Sequence, residues 1–348
     1  MTTSSRAGHR SELGVRPLLS GFTFLRNGSK LHYPILESIR SALPLVDEFV
    51  IALGDCDPDD DTRARLASLD SGKIRIVDTV WDLAKFPHGS VYAQQTDVAK
   101  SHCKGEWLLY LQGDEVLHED DYDVLLEACA HWRDRSEVDA LLFDYLHFWG
   151  DYEHVHDNHR WYKQEMRLLR NDASIHSMKD AQSFRRIRDF DGVSYHDKEG
   201  TEKLVAVHSG ARIFHYGWVR PPSSMQTKCE AFARHHRATH VGQTQREDTA
   251  LRDFDYGALG RIPRFEGRHP AVMHERLAAH SWGEQLNQGK MRSKNAPQHP
   301  HERAKYRALT WLERTLFGGR HIFASRNYTM LDGLPLPRKR NRATHLGR

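Results

Sequence analysis

Cysteine, long apolar runs and net charge are all scarce in this sequence, and each scarcity removes a class of protein. The 348 residues include four cysteines: Cys56, Cys103, Cys129 and Cys229, far apart and without a CxxC pair. That spacing argues against a zinc ribbon or a disulfide framework and fits a reducing compartment. No apolar run approaches the roughly 18 residues needed to span a bilayer. The opening MTTSSRAGHRSELG lacks the apolar centre of a secretory signal. The expectation is a soluble, cytoplasmic protein with no membrane span. A formal charge of +3 is small for this length and speaks against a surface built around phosphate-backbone binding. Only PRKRNR (337–342) is strongly basic. Internal repeats and low-complexity tracts are missing. So are a GxSxG elbow and a kinase motif set. GALGR (257–261) and FGGR (317–320) neither follow a strand nor open a helix, as a phosphate loop must.

What is present is alternation. RPLLSGFTFL (16–25), DEFVIAL (47–53), KIRIVDTVW (73–81) and EWLLYLQ (106–112) read as strands. Between them, 33–43 places Ile35, Ile39 and Leu43 on one helical face with Pro34 in the first turn. DTRARLASL and 90–103 read as further helices. Short apolar runs separated by helices predict βαβ crossovers and a parallel sheet covered on both faces. A helix over 122–132 and a strand over 138–148 follow. The alternation then fails, and 150–200 reads as loops and short strands. One more strand, 210–219, precedes a basic region with helices expected at 225–240, 271–281 and 302–317. The expected organisation is a leader (1–15), an α/β domain (16–220), a helical region (221–330) and a basic tail (331–348).

In an open parallel sheet, ligands bind beyond the carboxyl ends of the strands. RNGSK (26–30), GDCDPDDDT (54–62) and QGDE (112–115) all fall there. Acids at such an edge can hydrogen-bond a ribose or base, or hold a divalent cation that bridges a diphosphate. DPDDD also reads, and more simply, as a solvated cap for the helix near Thr62. Asp114 resists that reading, because the strand WLLYL stops on a glycine that lets a ligand approach closely.

The order FLRNGSKL, FVIALGDCDPDDDT, GEWLLYLQGDEVL, MRLLRND, KDAQSF and IFHYGW resembles the family 2 type of GT-A glycosyltransferase across about 16–220. The resemblance implies a Rossmann-like, mainly parallel α/β sheet flanked by helices. It implies a nucleotide-sugar donor, a UDP-sugar first among them, moved to a hydroxyl acceptor that the sequence does not specify, in an inverting, metal-assisted transfer. It assigns donor binding to Arg26, Asn27, Asp55, Asp57 and Asp97. It assigns Mn2+ or Mg2+ to Asp114, with Glu115 a lesser candidate, and to His215. The catalytic base would be Asp180, with Glu165 and Asp172 as rivals and Lys179 holding the carboxylate ionised. Two departures stand out: Gln112 occupies the position of the motif's first aspartate, and Gly28 that of a frequent glutamate.

Other readings compete. His215 is equally a core histidine bonded to a backbone carbonyl. His154, His156 and His159 in EHVHDNH match no closed four-ligand zinc site and read as a solvated loop or a rim on the acceptor side. The RHH at 234–236 reads as an exposed helix face. Tyr145, Phe148, Trp149, Tyr152, Trp161 and Tyr162 suit either a core or stacking on a sugar. Alternative functions are a nucleotidyltransferase, a non-catalytic nucleotide- or carbohydrate-binding domain, and a protein engaging nucleic acid through its basic tail.

Overall fold

The short apolar runs FTFL, FVIAL and WLLY become adjacent strands because each is apolar on both faces and needs cover from both sides. A computed structural model describes residues 18–236, 253–292, 298–319, 321–322 and 325–331. The leader, PRKRNR and residues 237–240 of the first expected C-terminal helix lie outside the described residues. Along the chain come β1 (Leu19–Leu25), α1 (Ile35–Ala42), β2 (Glu48–Leu53), α2 (Thr62–Ala67), β3 (Ile74–Asp78), α3 (Ser90–Ser101) and β4 (Trp107–Tyr110). Next are β5 (Glu115–Leu117), α4 (Tyr122–His131), β6 (Ala140–Trp149), β7 (Val155–His156) and β8 (Gln164–Arg170). Then follow β9 (Ile175–Met178), β10 (Ser183–Arg186), β11 (Glu202–Lys203), β12 (Val205–Trp218) and α5 (Pro222–His236). Last are α6 (His274–Ala278), α7 (Ala304–Leu316) and β13 (Thr329–Met330).

The main sheet runs β13-β12-β6-β8-β4-β1-β2-β3. Its neighbours are parallel except around β8, which is antiparallel to both β4 and β6. The fold is therefore the mainly parallel α/β sheet flanked by helices that the sequence implies. Helices α1 and α4 cover one face through Leu36, Ile39, Leu125 and Trp132. Helix α3 covers the other through Ala99, near Cys103, Tyr110 and Phe184.

Residues 150–200 form loops and short strands, as expected, and the longest of these strands, β8, lies in mid-sheet. Met166, Leu168 and Leu169 are fully buried in mid-sheet. Arg167, which interrupts that apolar run in sequence, is buried as well. Its Nε and Nη2 donate to the two carboxylate oxygens of Glu115 at 2.7 and 2.8 Å, and its guanidinium lies between the rings of Tyr110 and Tyr145. A charge at that depth is tolerable only when fully paired.

Beyond residue 220 the chain packs on the sheet. Phe148, Trp149, Phe214 and Tyr216 share a core with Met225, Tyr256, Leu259, Met273 and Trp282. Trp149 Nε1 donates to Tyr256 O and Trp282 Nε1 to Gly150 O, both at 2.9 Å. The aromatic residues of 145–162 are thus mainly core. Over 271–281 the expected helix shrinks to a 3-10 turn, Ala271–Met273, followed by the short α6. Met273 and Trp282 are buried, whereas no residue of α6 is, so two anchors hold this segment in place of an amphipathic face.

Replacing one partner of the central ion pair strands the other charge. Arg167→Met is expected to lower stability by about 3–5 kcal/mol, and the double variant Arg167→Met/Glu115→Leu to recover much of it. Chemical denaturation of both variants measures this. A double variant no more stable than the single one would mean that the pair is not the source of the loss.

Candidate active site

At the end of β4 the chain turns through Gly113 and Asp114 and re-enters the sheet as β5. Pairing of β5 with β12 sets Glu115 opposite His215, and Asp114 O accepts from Tyr216 N at 2.8 Å. Two neighbouring acids thereby separate. Glu115 points into the sheet, where Arg167, Tyr145 Oη (2.8 Å) and Gln112 N (3.1 Å) fill its oxygens. That commitment corrects the reading of Glu115 as a cation ligand.

Asp114 instead faces His215, with Oδ2 3.8 Å from Nε2. Both side chains are nine-tenths buried. The protonation of His215 follows from its neighbours. Tyr162 O can only accept, so His147 Nε2, at 2.8 Å, carries a proton. Burial holds His147 well below its ordinary range, so the ring is neutral and its Nδ1 accepts. The donor is His215 Nδ1, at 3.0 Å. His215 is likewise pushed down by burial, against the pull of Asp114 and Glu115, which leaves a lone pair on Nε2. A carboxylate oxygen and an imidazole lone pair therefore face each other with no proton between them.

Gly217 keeps the adjoining space open. A Cβ there would stand 2.6 Å from both Asp114 Oδ2 and His215 Nε2. Two hard donors beside a space kept open by a missing side chain fit a divalent cation. His215 is thus neither merely packed in the core nor bonded to a carbonyl itself; His147 takes the carbonyl.

Positive charge surrounds this pair. Lys228 Nζ, on α5, lies 3.7 Å from Asp114 Oδ2 and donates to Gly217 O at 2.6 Å. Burial and the nearby Arg220 push Lys228 down to about 7, against the pull of Asp114. Arg220 is fully buried; it donates to Leu31 O and Gly217 O and leaves Nε without a hydrogen-bond partner. Burial disfavours the Asp114 charge, but the neighbouring positive groups, Lys228 and Arg220 among them, outweigh it and hold the carboxyl below its ordinary range. Neither Lys228 nor Arg220 is marked by a motif in the sequence. The only available hint is a pair of cations flanking the start of the helix after RPPSS.

Residues at the ends of β1 and β2 form a second cluster. Arg26 Nε donates to Asp55 O at 3.0 Å, and its guanidinium lies over the ring of Trp81. Asn27 adopts the left-handed conformation (φ 51°) and accepts from Asp57 N at 2.7 Å. Lys30 binds Asp57 and Asp59, and Asp60 Oδ1 accepts from Thr62 N at 3.0 Å. Much of DPDDD is therefore occupied by Lys30 and the start of α2. Trp81 Nε1 is buried without a partner. His235 packs on Trp81 and bonds Tyr92 Oη at 2.7 Å, which corrects the reading of RHH as an exposed face. Asp97 stands apart: its carboxylate accepts from His176 Nδ1 and Ser177 N, both at 2.8 Å, tying α3 to β9.

Asp180 lies at the tip of the β9–β10 hairpin, between Lys179 (φ 55°) and Ala181 (φ 61°). No helix begins at Ala181, so the side chain is not a cap. Gln112 Nε2 donates to Ala181 O at 3.1 Å, and Arg167 Nη1 to Gln182 O at 3.0 Å. The two residues at the strand-end cluster thus pin the turn that bears Asp180. Its half-buried carboxylate forms no hydrogen bond or ion pair with the described residues, Lys179 included, although Lys179 was expected to pair with it. The rivals are engaged. Glu165 is buried, which raises its pKa, and it accepts from Ser183, Asn327 and Met166 N. Burial opposes the charge on Asp172, but Arg186 and Ser174 outweigh it and hold the group at about 2.

The histidines of EHVHDNH are not solvated. His154 bonds Asp151 at 2.8 Å, His156 packs against Trp161 and His301, and His159 bonds Glu313 at 2.7 Å. Among the described residues no helix is long and apolar enough to cross a membrane.

No protein-family model matches the chain, and no curated protein matches it. Among solved structures, TarS of S. aureus superposes with a TM-score of 0.35 at 11% identity, over 62% of this chain and 39% of that one. TarS 1-349 in complex with UDP gives 0.35 at 11%, over 67% and 68%. The glucosyl-3-phosphoglycerate synthase of Mycobacterium tuberculosis, in complex with Mn2+, UDP and glucosyl-3-phosphoglycerate, gives 0.26 at 14%, over 38% and 44%. The chain thus spans less than half the length of the first and last of these. Overlaps at such TM-scores are too partial to carry an assignment.

Proposed function

We propose that the chain is a glycosyltransferase that moves a sugar from a nucleoside diphosphate, UDP first among them, to a hydroxyl acceptor with inversion. The observation that supports this best is the pair Asp114 Oδ2 and His215 Nε2, both deprotonated, beside the space left by Gly217. These two residues would hold Mn2+ or Mg2+, which supplies positive charge against the leaving diphosphate. Lys228 and Arg220 add charge of the same sign. Trp81, with its free Nε1, and Arg26, with Asp55 and Asn27 beside it, suit the base and ribose at the neighbouring strand ends. Asp57 is coupled to Lys30 and belongs to the rim of that cluster. Asp97 serves the fold in this reading.

Asp180 takes the acceptor's hydroxyl proton. As the acceptor oxygen forms its bond to the anomeric carbon, the bond from that carbon to the diphosphate oxygen breaks, and the nucleoside diphosphate leaves with the electron pair. A carboxylate free of internal partners, on a turn fixed by Gln112 and Arg167, suits a base that must be positioned but not neutralised. A nucleotidyltransferase would have less use for this group, because its attacking phosphate needs no general base.

Thermal melting against a panel of nucleoside diphosphates tests the donor site. The expected result is a rise with one of them that grows when Mn2+ is added, and that Asp114→Ala removes when measured against that variant's own unliganded melting temperature. No shift with any nucleotide in the presence of metal would sink the proposal. Gly217→Ala is expected to lower Mn2+ affinity at least about tenfold in the presence of saturating nucleoside diphosphate, because its methyl displaces two ligand atoms; calorimetric titration reads this out, and unchanged affinity would remove the cation from the site. Asp180→Asn should bind the nucleotide sugar as the wild type does, yet turn over about a hundredfold to ten-thousandfold more slowly. Normal turnover in Asp180→Asn alongside a dead Glu165→Gln would move the base to Glu165.

A further inference from the structure

A second cluster of metal-ligating side chains lies away from Asp114, where α7 and the segment after it meet the turn that follows β7. Glu313, on α7, is 1% exposed at its side chain. Its Oε1 accepts from His159 Nδ1 at 2.7 Å and from Ile322 N at 2.8 Å. Its Oε2 has no hydrogen-bond partner. The atom nearest to completing it is His321 Nε2, at 3.8 Å, which is itself buried and without a hydrogen-bond partner. His159, Glu313 and His321 each offer one ligand atom, and the three atoms lie within 4.8 Å of one another.

This convergence depends on two glycines. Gly318 (φ 57°) and Gly319 (φ 78°) both take the left-handed conformation after α7 and turn the chain back, with Gly319 N donating to Glu313 O at 2.8 Å. Gly318 and Gly319 therefore form a helix-ending turn, and His321 stands beside Glu313. On the other side, His159 N donates to Thr310 Oγ1 at 2.9 Å and Asn158 Nδ2 to His301 O at 3.2 Å, docking the turn against α7.

A buried carboxylate oxygen and a buried imidazole nitrogen, both unpartnered and too far apart to bond each other, are costly unless something lies between them. We infer that His159, Glu313 and His321 bind a divalent transition-metal ion, Zn2+ by preference, as a clamp between α7 and the turn at 158–161. Two nitrogens and Glu313 Oε2 form a tetrahedral Zn2+ set with one position left for water, His159 releasing to solvent the proton it shares with Glu313 Oε1 as the ion binds. Ligands about 2.0–2.1 Å from such an ion stand about 3.3 Å apart, so the 3.8 Å separation closes with a small adjustment. Burial pushes His321 down to about 4, with Lys163 adding to the effect and Glu313 opposing it, which keeps the ring neutral and able to ligate. The surrounding charges nearly balance: Lys163 Nζ is tied to Gly319 O at 2.5 Å, and Asp157 is paired with Arg314. The clamped turn leads into Tyr162, whose carbonyl orients His147 and, through it, His215.

The other cluster of the same kind, His118, Glu119 and Asp120, carries no such inference, because Arg268 already pairs with both of its acids.

The test uses the full chain, stripped of metal, in an Asp114→Asn/His215→Gln background that removes the first pair of ligands. Zn2+ titration against a chromophoric chelator should give one ion per chain. His321→Gln and His159→Gln, each added to that background, should weaken binding at least a hundredfold while leaving the metal-free melting temperature within a few degrees. Co2+ in the same background should give the intense visible absorption of a four-coordinate ion, and either histidine substitution should abolish it. Absence of stoichiometric Zn2+ in the background protein would overturn the inference, as would binding that survives both histidine substitutions.

Discussion

The ion pair between Glu115 and Arg167 organises everything near the candidate site. Both side chains are fully buried, so neither can be lost without leaving a bare charge inside the sheet. Arg167 sits on β8, which runs antiparallel between β4 and β6, and Glu115 on the short β5 that leads away from the end of β4. Their pairing fixes how β5 leaves the sheet edge. That in turn decides which way Asp114 faces, one residue earlier. The same guanidinium reaches Gln182 O and steadies the turn that bears Asp180. The acid proposed to hold the cation and the acid proposed to take the proton are thus positioned by one buried charge that contacts neither of their carboxylates.

Much of this was legible in the sequence, and the illegible parts share a cause. The alternation of apolar runs and amphipathic helices reports βαβ crossovers because both patterns are local. Glycine before Asp114, and Asp180 shortly after RLLRN, point to two acids at a sheet edge. Nothing local distinguishes Asp114 from Glu115, however. Adjacent residues in an extended chain face opposite ways, and only the distant Arg167 shows which acid is internal. The same limit hid the place of β8: its run reads as a short strand, but its pairing between β4 and β6 is not local. EHVHDNH looked solvated because its partners lie far along the chain: Glu313 is 154 residues from His159.

The relay through Tyr162, His147 and His215 shows how a backbone carbonyl can govern the chemistry of a side chain two rings away. An acceptor-only group forces the proton onto one nitrogen, each neutral ring passes the polarity on, and the final nitrogen is left with a lone pair. Reversal of both rings would place a proton between His215 and Asp114, and the lone pair facing the carboxylate would be lost. Burial of both histidines is what makes the relay work, since an imidazolium in either place would supply a proton at both ends.

Gln112 stands where the motif of the resembled family carries a carboxylate, and the neighbouring charges suit an amide there. Asp114 alone faces Lys228, Arg220 and a neutral imidazole, so the empty site carries more positive than negative charge. A cation entering without a counter-charge would meet Lys228 and Arg220 with only one carboxylate to offset them. A diphosphate brings the missing negative charge, and its arrival makes both the cation and the two basic residues favourable neighbours. Gln112 uses its amide to hold Ala181 O. In the proposed reading, an amide at this position favours a site that takes metal and diphosphate together over one that takes metal alone, and the same amide anchors the turn that carries Asp180.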